Sequence, residues 1–140
     1  MGSRWLGIVV DSRDPARLAR WWAEVLGFRV TFEKPDLVAI AGIDESHPGI
    51  GFVPVGEEKA GKNRLHIELA TDDPPAEIER LIDMGARHVD IGQPSGAGWM
   101  VLADPEGNEF CVLPTQQSAA ASGRSAAEPA VKRPYSKEAR

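Results

Sequence analysis

The stretch Asp14-Pro15-Ala16-Arg17-Leu18-Ala19-Arg20-Trp21-Trp22-Ala23-Glu24-Val25-Leu26-Gly27-Phe28 decides how this chain is read. Asp14 is a helix N-cap by type, and Pro15 suits the first helical position, where a missing N–H leaves no bond unmade. Leu18, Trp21, Trp22, Val25 and Leu26 recur at i, i+3, i+4, i+7 and i+8, which places them on one helix face. Gly27 then ends the helix as its C-terminal cap. Trp21 and Trp22 stand about 100° apart around the axis and cannot point the same way. Both read as core aromatics.

Working outward, residues 5–10 form an apolar run before this helix, and residues 28–33, 37–41 and 50–55 read as strands after it. The order is βαβββ. The same order then returns. Residues 65–69 are a strand candidate, and Asp73-Pro74 opens a helix whose stripe is Ile78, Leu81 and Ile82 and whose stop is Gly85. Strands come next at 87–91, 99–103 and 109–113, the last two joined by the turn Asp104-Pro105-Glu106-Gly107-Asn108. An offset of 59 residues lays Gly7 on His66, Asp14 on Asp73 and Pro15 on Pro74. The Gly- and charge-rich segment 56–63 is the linker. The expectation is an α+β fold: two tandem βαβββ modules, 1–56 and 64–114, forming a curved mixed sheet around a cleft with helices outside. A small-molecule ligand is expected in that cleft.

Composition narrows the function. The chain has 140 residues and a net charge of −5. Residues 116–140 carry five Lys/Arg against two Glu, leaving −8 on the remainder. An acidic folded part is a poor nucleic-acid platform, because phosphate binding needs clustered basic side chains. No apolar run approaches the roughly 20 residues that cross a bilayer, and the N-terminus does not read as a secretory signal. Cys111 is the one cysteine, which excludes an intramolecular disulfide and a Cys-only metal cage. The cytoplasm is the expected compartment. Residues 115–140 lack apolar periodicity and read as a disordered tail in which a packed element is not expected.

The pattern Asp-Pro-x-x-Leu-x-x-Trp-Trp-x-x-x-Leu-Gly-Phe from Asp14 to Phe28, and Asp-Pro-Glu-Gly-Asn-Glu-Phe from Asp104 to Phe110, closely resemble the vicinal oxygen chelate superfamily (glyoxalase, bleomycin resistance protein, dioxygenase). The likeness covers residues 5–114. Relatives such as glyoxalase I hold a divalent metal with one side chain from the first and one from the last strand of each module. Carried over, the resemblance implies His66 and Glu109 in the second module. In the first it implies Gly7 and, matching Phe52 to Phe110, Gly51, neither of which has a side chain to offer. Half a metal site remains, and glyoxalase I activity itself is disfavoured.

Strand alternation points the same way. Leu65, Ile67 and Leu69 share one face, which turns His66 and Glu68 to the other. Phe110 and Val112 face the helices, which turns Glu109 and Cys111 into the cleft, with Gly7 and Asp11 on the matching wall. His66 with Glu109 suits three roles: metal ligands, a general acid/base pair, or a hydrogen-bonded structural pair. Catalytic zinc normally takes three protein ligands, and Glu68 or Asp11 is the candidate third. Trp99, after Ser95-Gly96-Ala97-Gly98, is a ligand-stacking or strand-packing residue beside a lid-like loop. Cys111 reads as an inert small residue, and His47 and His88 as surface residues.

Two functions from different classes emerge. One is a binding protein that sequesters a small apolar or aromatic oxygen-bearing compound. The other is a lyase, isomerase or dioxygenase-like enzyme that uses His66 and Glu109, with one divalent metal (Zn, Ni, Mn or Fe) or none. The resemblance leaves a homodimer open.

Overall fold

The computed structural model describes residues 2–44, 47–92 and 98–121. Two compact units meet in sequence between Lys59 and Ala60.

The first unit runs β1 (Gly7–Ser12), α1 (Pro15–Leu26), β2 (Arg29–Lys34), β3 (Leu37–Ala41), β4 (Gly49–Pro54). Its start is fixed by two short side chains. Ser12 Oγ accepts the Asp14 N–H at 3.1 Å, and Asp14 Oδ1 accepts the Arg17 N–H at 3.2 Å, so donors that an unformed turn would orphan are satisfied. Gly27 closes the helix at φ 65°, a left-handed position that favours glycine. The sheet order is β1-β4-β3-β2. β1 and β4 are parallel, and the other neighbours are antiparallel. α1 packs on β2, β3 and β4. Leu18, Trp22, Val38, Ile40 and Phe52 are all but inaccessible. Both tryptophans are buried, edge to face with ring centroids 5.1 Å apart, as their expected core role requires.

The second unit repeats the plan with β5 (Ile67–Thr71), α2 (Pro74–Asp83), β6 (Arg87–His88), β7 (Met100–Ala103), β8 (Glu109–Pro114) and a further helix, α3 (Gln116–Ala121). Its sheet order is β5-β8-β7-β6, with β5 and β8 parallel. The repeat reaches single atoms. Thr71 Oγ1 accepts from Asp73 N and Asp73 Oδ1 from Ala76 N, as Ser12 and Asp14 do before α1. β8 is buried on both faces. Phe110 lies in the row Ile67–Phe110–Leu102, and Cys111 in the row Glu68–Cys111–Val101. On the Cys111 side, Val101, Cys111 and Leu113 form an apolar cluster, with Val89, Ile91 and Trp99 packed against it.

Three expectations need correction. Leu65 does not share the Ile67 face: β5 starts only at Ile67, and Leu65 is 86% exposed. The strand expected at 87–91 pairs only at Arg87 and His88, after which Val89 and Ile91 fold onto the apolar cluster. Past Pro114 a packed element does form. α3 packs on β8 and buries Ala119 to 1% exposure, while residues 122–140 of the expected disordered tail lie outside the described residues. No described helix is long and apolar enough to cross a membrane.

Candidate functional site

β5 and β8 run parallel with Ile67 opposite Phe110, so His66 and Glu109 sit one step earlier at the same end of the ladder. The structure brings them together through a residue that the sequence did not single out. The Asn63 N–H donates to Glu109 Oε2 at 3.0 Å, and the Asn63 carbonyl lies 2.7 Å from His66 Nε2. A carbonyl only accepts, so this contact is a hydrogen bond in the tautomer that protonates Nε2. Lys62 Nζ, which only donates, lies 3.2 Å from the same nitrogen and bonds it in the other tautomer. The Asn63 side chain also donates to Asn108 Oδ1 at 3.2 Å. Asn108 is itself held by Asp104, a fully buried carboxylate that accepts from the backbone N–H of Glu106 and Asn108 and from the Asn108 amide. The Asp104–Asn108 turn therefore anchors the linker as well as joining β7 to β8. Glu109 is only 8% exposed, a burial that a carboxylate tolerates when its oxygens are bonded.

The remaining expected residues fall in different settings. Glu68 is exposed, in the row of Cys111. Cys111 is a buried thiol, not part of a disulfide, inside the apolar cluster, with Trp99 packed against that cluster. Of the lid-like loop before Trp99, residues 95–97 lie outside the described residues. Asp11 is exposed on β1, opposite Val53. His47 and His88 are exposed.

Strand register corrects the matching of the two modules. Ser12 pairs with Pro54 as Thr71 pairs with Pro114. Counting back from those ends, Phe110 corresponds to Ile50 and Phe52 to Val112. The counterpart of Glu109 is thus Gly49, and Gly51 corresponds to Cys111. Gly7 stays the counterpart of His66, and it pairs with Gly49. This pairing is tight: a Cβ on Gly7 would stand 2.7 Å from the Gly49 carbonyl oxygen, and one on Gly49 would stand 2.9 Å from that of Ile40. Gly51 is looser, with the flexible Leu37 Cδ1 at 3.2 Å as the nearest atom to an added Cβ.

On this same side of the first sheet one row crosses all four strands: Val9, Gly51, Ala39, Phe32. Val9 is 65% and Phe32 42% exposed, and between them stand only a glycine and an alanine. Lys34 Nζ lies 5.4 Å from the Phe32 ring centroid. The first unit therefore presents an open apolar face with a cation at its β2 edge and Asp11 at its β1 edge.

Tandem βαβββ units, each with its first and last strands parallel, define the vicinal oxygen chelate class. The chain belongs to the glyoxalase-like domain family, whose model matches residues 7–113. No curated protein matches it. Among solved structures it is similar to a glyoxalase/bleomycin resistance protein/dioxygenase family enzyme from Burkholderia phytofirmans PsJN (TM-score 0.61, 19% identity, 76% of this chain and 94% of that one). It is also similar to the fosfomycin resistance protein FosX from Mesorhizobium loti (0.60, 18%, 80% and 92%). A third similar structure is TnmS3, an antibiotic binding protein from Streptomyces sp. CB03234 (0.55, 18%, 81% and 98%).

Members of this family often use a divalent metal. The residues of this chain do not fit one. The first-module positions are glycines whose Cβ atoms would meet backbone. In the second module, His66 Nε2 lies against the Asn63 carbonyl and Lys62 Nζ, and Glu109 accepts from Asn63. No group of three or more His, Cys, Asp or Glu suited to a metal occurs among the described residues, whereas catalytic zinc normally takes three protein ligands.

Proposed function

We propose that this protein binds and sequesters a small apolar or aromatic, oxygen-bearing compound, using the open face of its first sheet and no metal. The observation that carries the reading is the Val9–Gly51–Ala39–Phe32 row. Side chains are large at its two ends and nearly absent in the middle. A flat ring can lie over Ala39 and the edge of Gly51, bordered by Leu37 and Val9 on one side and Phe32 on the other, and burying it gains about 25 cal/mol per Å² of apolar area. Lys34 beside Phe32 supplies a cation for a phenolate, carboxylate or carbonyl oxygen at one edge. An antibiotic binding protein of the same fold supports a sequestering role. We assign the protein to the cytoplasm, with a small molecule as its partner and neither nucleic acid nor membrane.

The competing enzyme reading uses His66 and Glu109 for lyase, isomerase or dioxygenase-like chemistry. One experiment separates the two: thermal-shift and tryptophan-fluorescence titration with a panel of phenols, quinones and polyketide-type antibiotics, run with and without EDTA. Sequestration gives saturable binding that EDTA leaves unchanged and a ligand recovered intact by mass spectrometry. Turnover of the ligand, abolished by EDTA and by His66→Ala, would replace this proposal with the enzyme reading.

A further inference from the structure

We infer that His66 and Glu109, the positions where the family's metal ligands fall, serve in this chain as a clasp that fastens the linker at Asn63. The inference rests on the second unit alone and is independent of the ligand proposed above.

A single residue satisfies both side chains. Its N–H points at the carboxylate and its carbonyl at the imidazole Nε2, at 3.0 and 2.7 Å. The Asn63 N–H thus finds an acceptor in Glu109, and the Asn63 carbonyl lies within hydrogen-bond reach of His66 Nε2. The Lys62 ammonium 3.2 Å from Nε2 puts a like charge where a metal would approach. A second attachment, Asn63 Nδ2 to Asn108 Oδ1, ties the same residue to the Asp104–Asn108 turn. Asn63 is thereby held by three side chains that come from one stretch of motif, Asn108-Glu109, and from His66 at the mouth of β5. The clasp sets where the linker ends and β5 begins. It also sets His66 and Glu109 apart from their first-module counterparts, which are glycines packed against backbone.

The test uses the full-length protein with its purification tag removed. Calorimetric titration with Zn²⁺, Ni²⁺ and Mn²⁺ is expected to show no saturable site. Amide hydrogen exchange by NMR is expected to show the Asn63 N–H protected, and ¹⁵N spectra of His66 to show the Nε2–H tautomer. Glu109→Leu, which removes the acceptor at similar volume, should speed Asn63 exchange about tenfold or more and lower Tm by about 3–6 °C. If that variant does not fold, the unsubstituted protein decides alone through Asn63 protection and the His66 tautomer. Stoichiometric micromolar metal binding that His66→Ala abolishes would overturn the inference. So would an Asn63 amide that exchanges at the rate of an open linker, or a protected one that Glu109→Leu leaves unchanged.

Discussion

Gly7 and Gly49 face each other across the β1–β4 ladder with a Cβ on Gly7 only 2.7 Å from the Gly49 carbonyl oxygen. Real Cβ atoms do not sit so close to backbone, so any side chain at Gly7 forces the two strands apart. These glycines are the register counterparts of His66 and Glu109, and neither position has room for a side chain unless backbone shifts.

Gly7→Ala should thus destabilise the protein by about 1–3 kcal/mol, the range for overpacking. Gly51→Ala should cost less than about 1 kcal/mol, since Leu37 Cδ1 can rotate away. Urea denaturation of the two variants side by side checks the order. The double change Gly7→His with Gly49→Glu is expected to lower stability further without creating a metal site, which calorimetric titration with Zn²⁺ reads directly.

How much of the fold and site is legible in the sequence depends on the range of the interaction. Helix α1 is readable because cap, proline, apolar stripe and terminal glycine are all local and agree with one another. The duplication is readable for the same reason, since Asp14-Pro15 and Asp73-Pro74 repeat a local device. The matching of Gly51 to Glu109 fails because it aligns one aromatic with another, Phe52 with Phe110. Register is set by the strand ends that close the ladders, Ser12–Pro54 and Thr71–Pro114. Asn63 escapes notice because its partners, Asn108 and Glu109, lie far along the chain, and an Asn in a Gly-rich linker reads as turn. α3 escapes because Ala119 is too small to mark a stripe by itself, although Thr115 caps the turn through its hydroxyl to Ser118 N.

Asp104 is expected to matter for stability more than any other polar residue of the second unit. It is fully buried and serves two backbone N–H groups and the Asn108 amide. Asp104→Ala leaves those donors without their acceptor and should cost about 2–4 kcal/mol. Asp104→Asn keeps an oxygen where Oδ1 stands and should cost about 1 kcal/mol. Urea midpoints measure both, and equal losses would show that charge rather than hydrogen bonding holds the turn.

Truncation isolates the contribution of α3. Ending the chain after Ala121 retains the helix, whereas ending it after Thr115 removes Ala119 from its place against β8. The shorter form also loses the Ser118 bonds to Thr115. Relative to the longer form it should melt about 3–6 °C lower, the shift expected for roughly 1 kcal/mol in a domain of this size. Matching melting temperatures by calorimetry would show that the helix contributes nothing.

The proposed ligand face makes its own demand on Gly51. If a flat ring lies against Gly51 and Ala39, a larger side chain at Gly51 fills the space the ring needs. Gly51→Leu points onto the exposed side of the sheet, between Val9 and Ala39, where the two nearest atoms to its Cβ are the side-chain atoms Leu37 Cδ1 and Val9 Cγ2. Binding of a phenolic or quinone ligand found in the panel should weaken at least tenfold, about 1.4 kcal/mol, while the melting temperature changes little. Phe32→Ala should weaken binding by a similar factor through lost wall area, since an aromatic pair contributes about 0.5–1.5 kcal/mol beyond its burial. His66→Ala, in the other unit, should lower stability and leave the affinity of the remaining folded protein within about twofold. Fluorescence titration of the three variants, each at a temperature well below its own melting point, checks the pattern. Affinity lost in His66→Ala and retained in Gly51→Leu would move the binding surface off the first sheet.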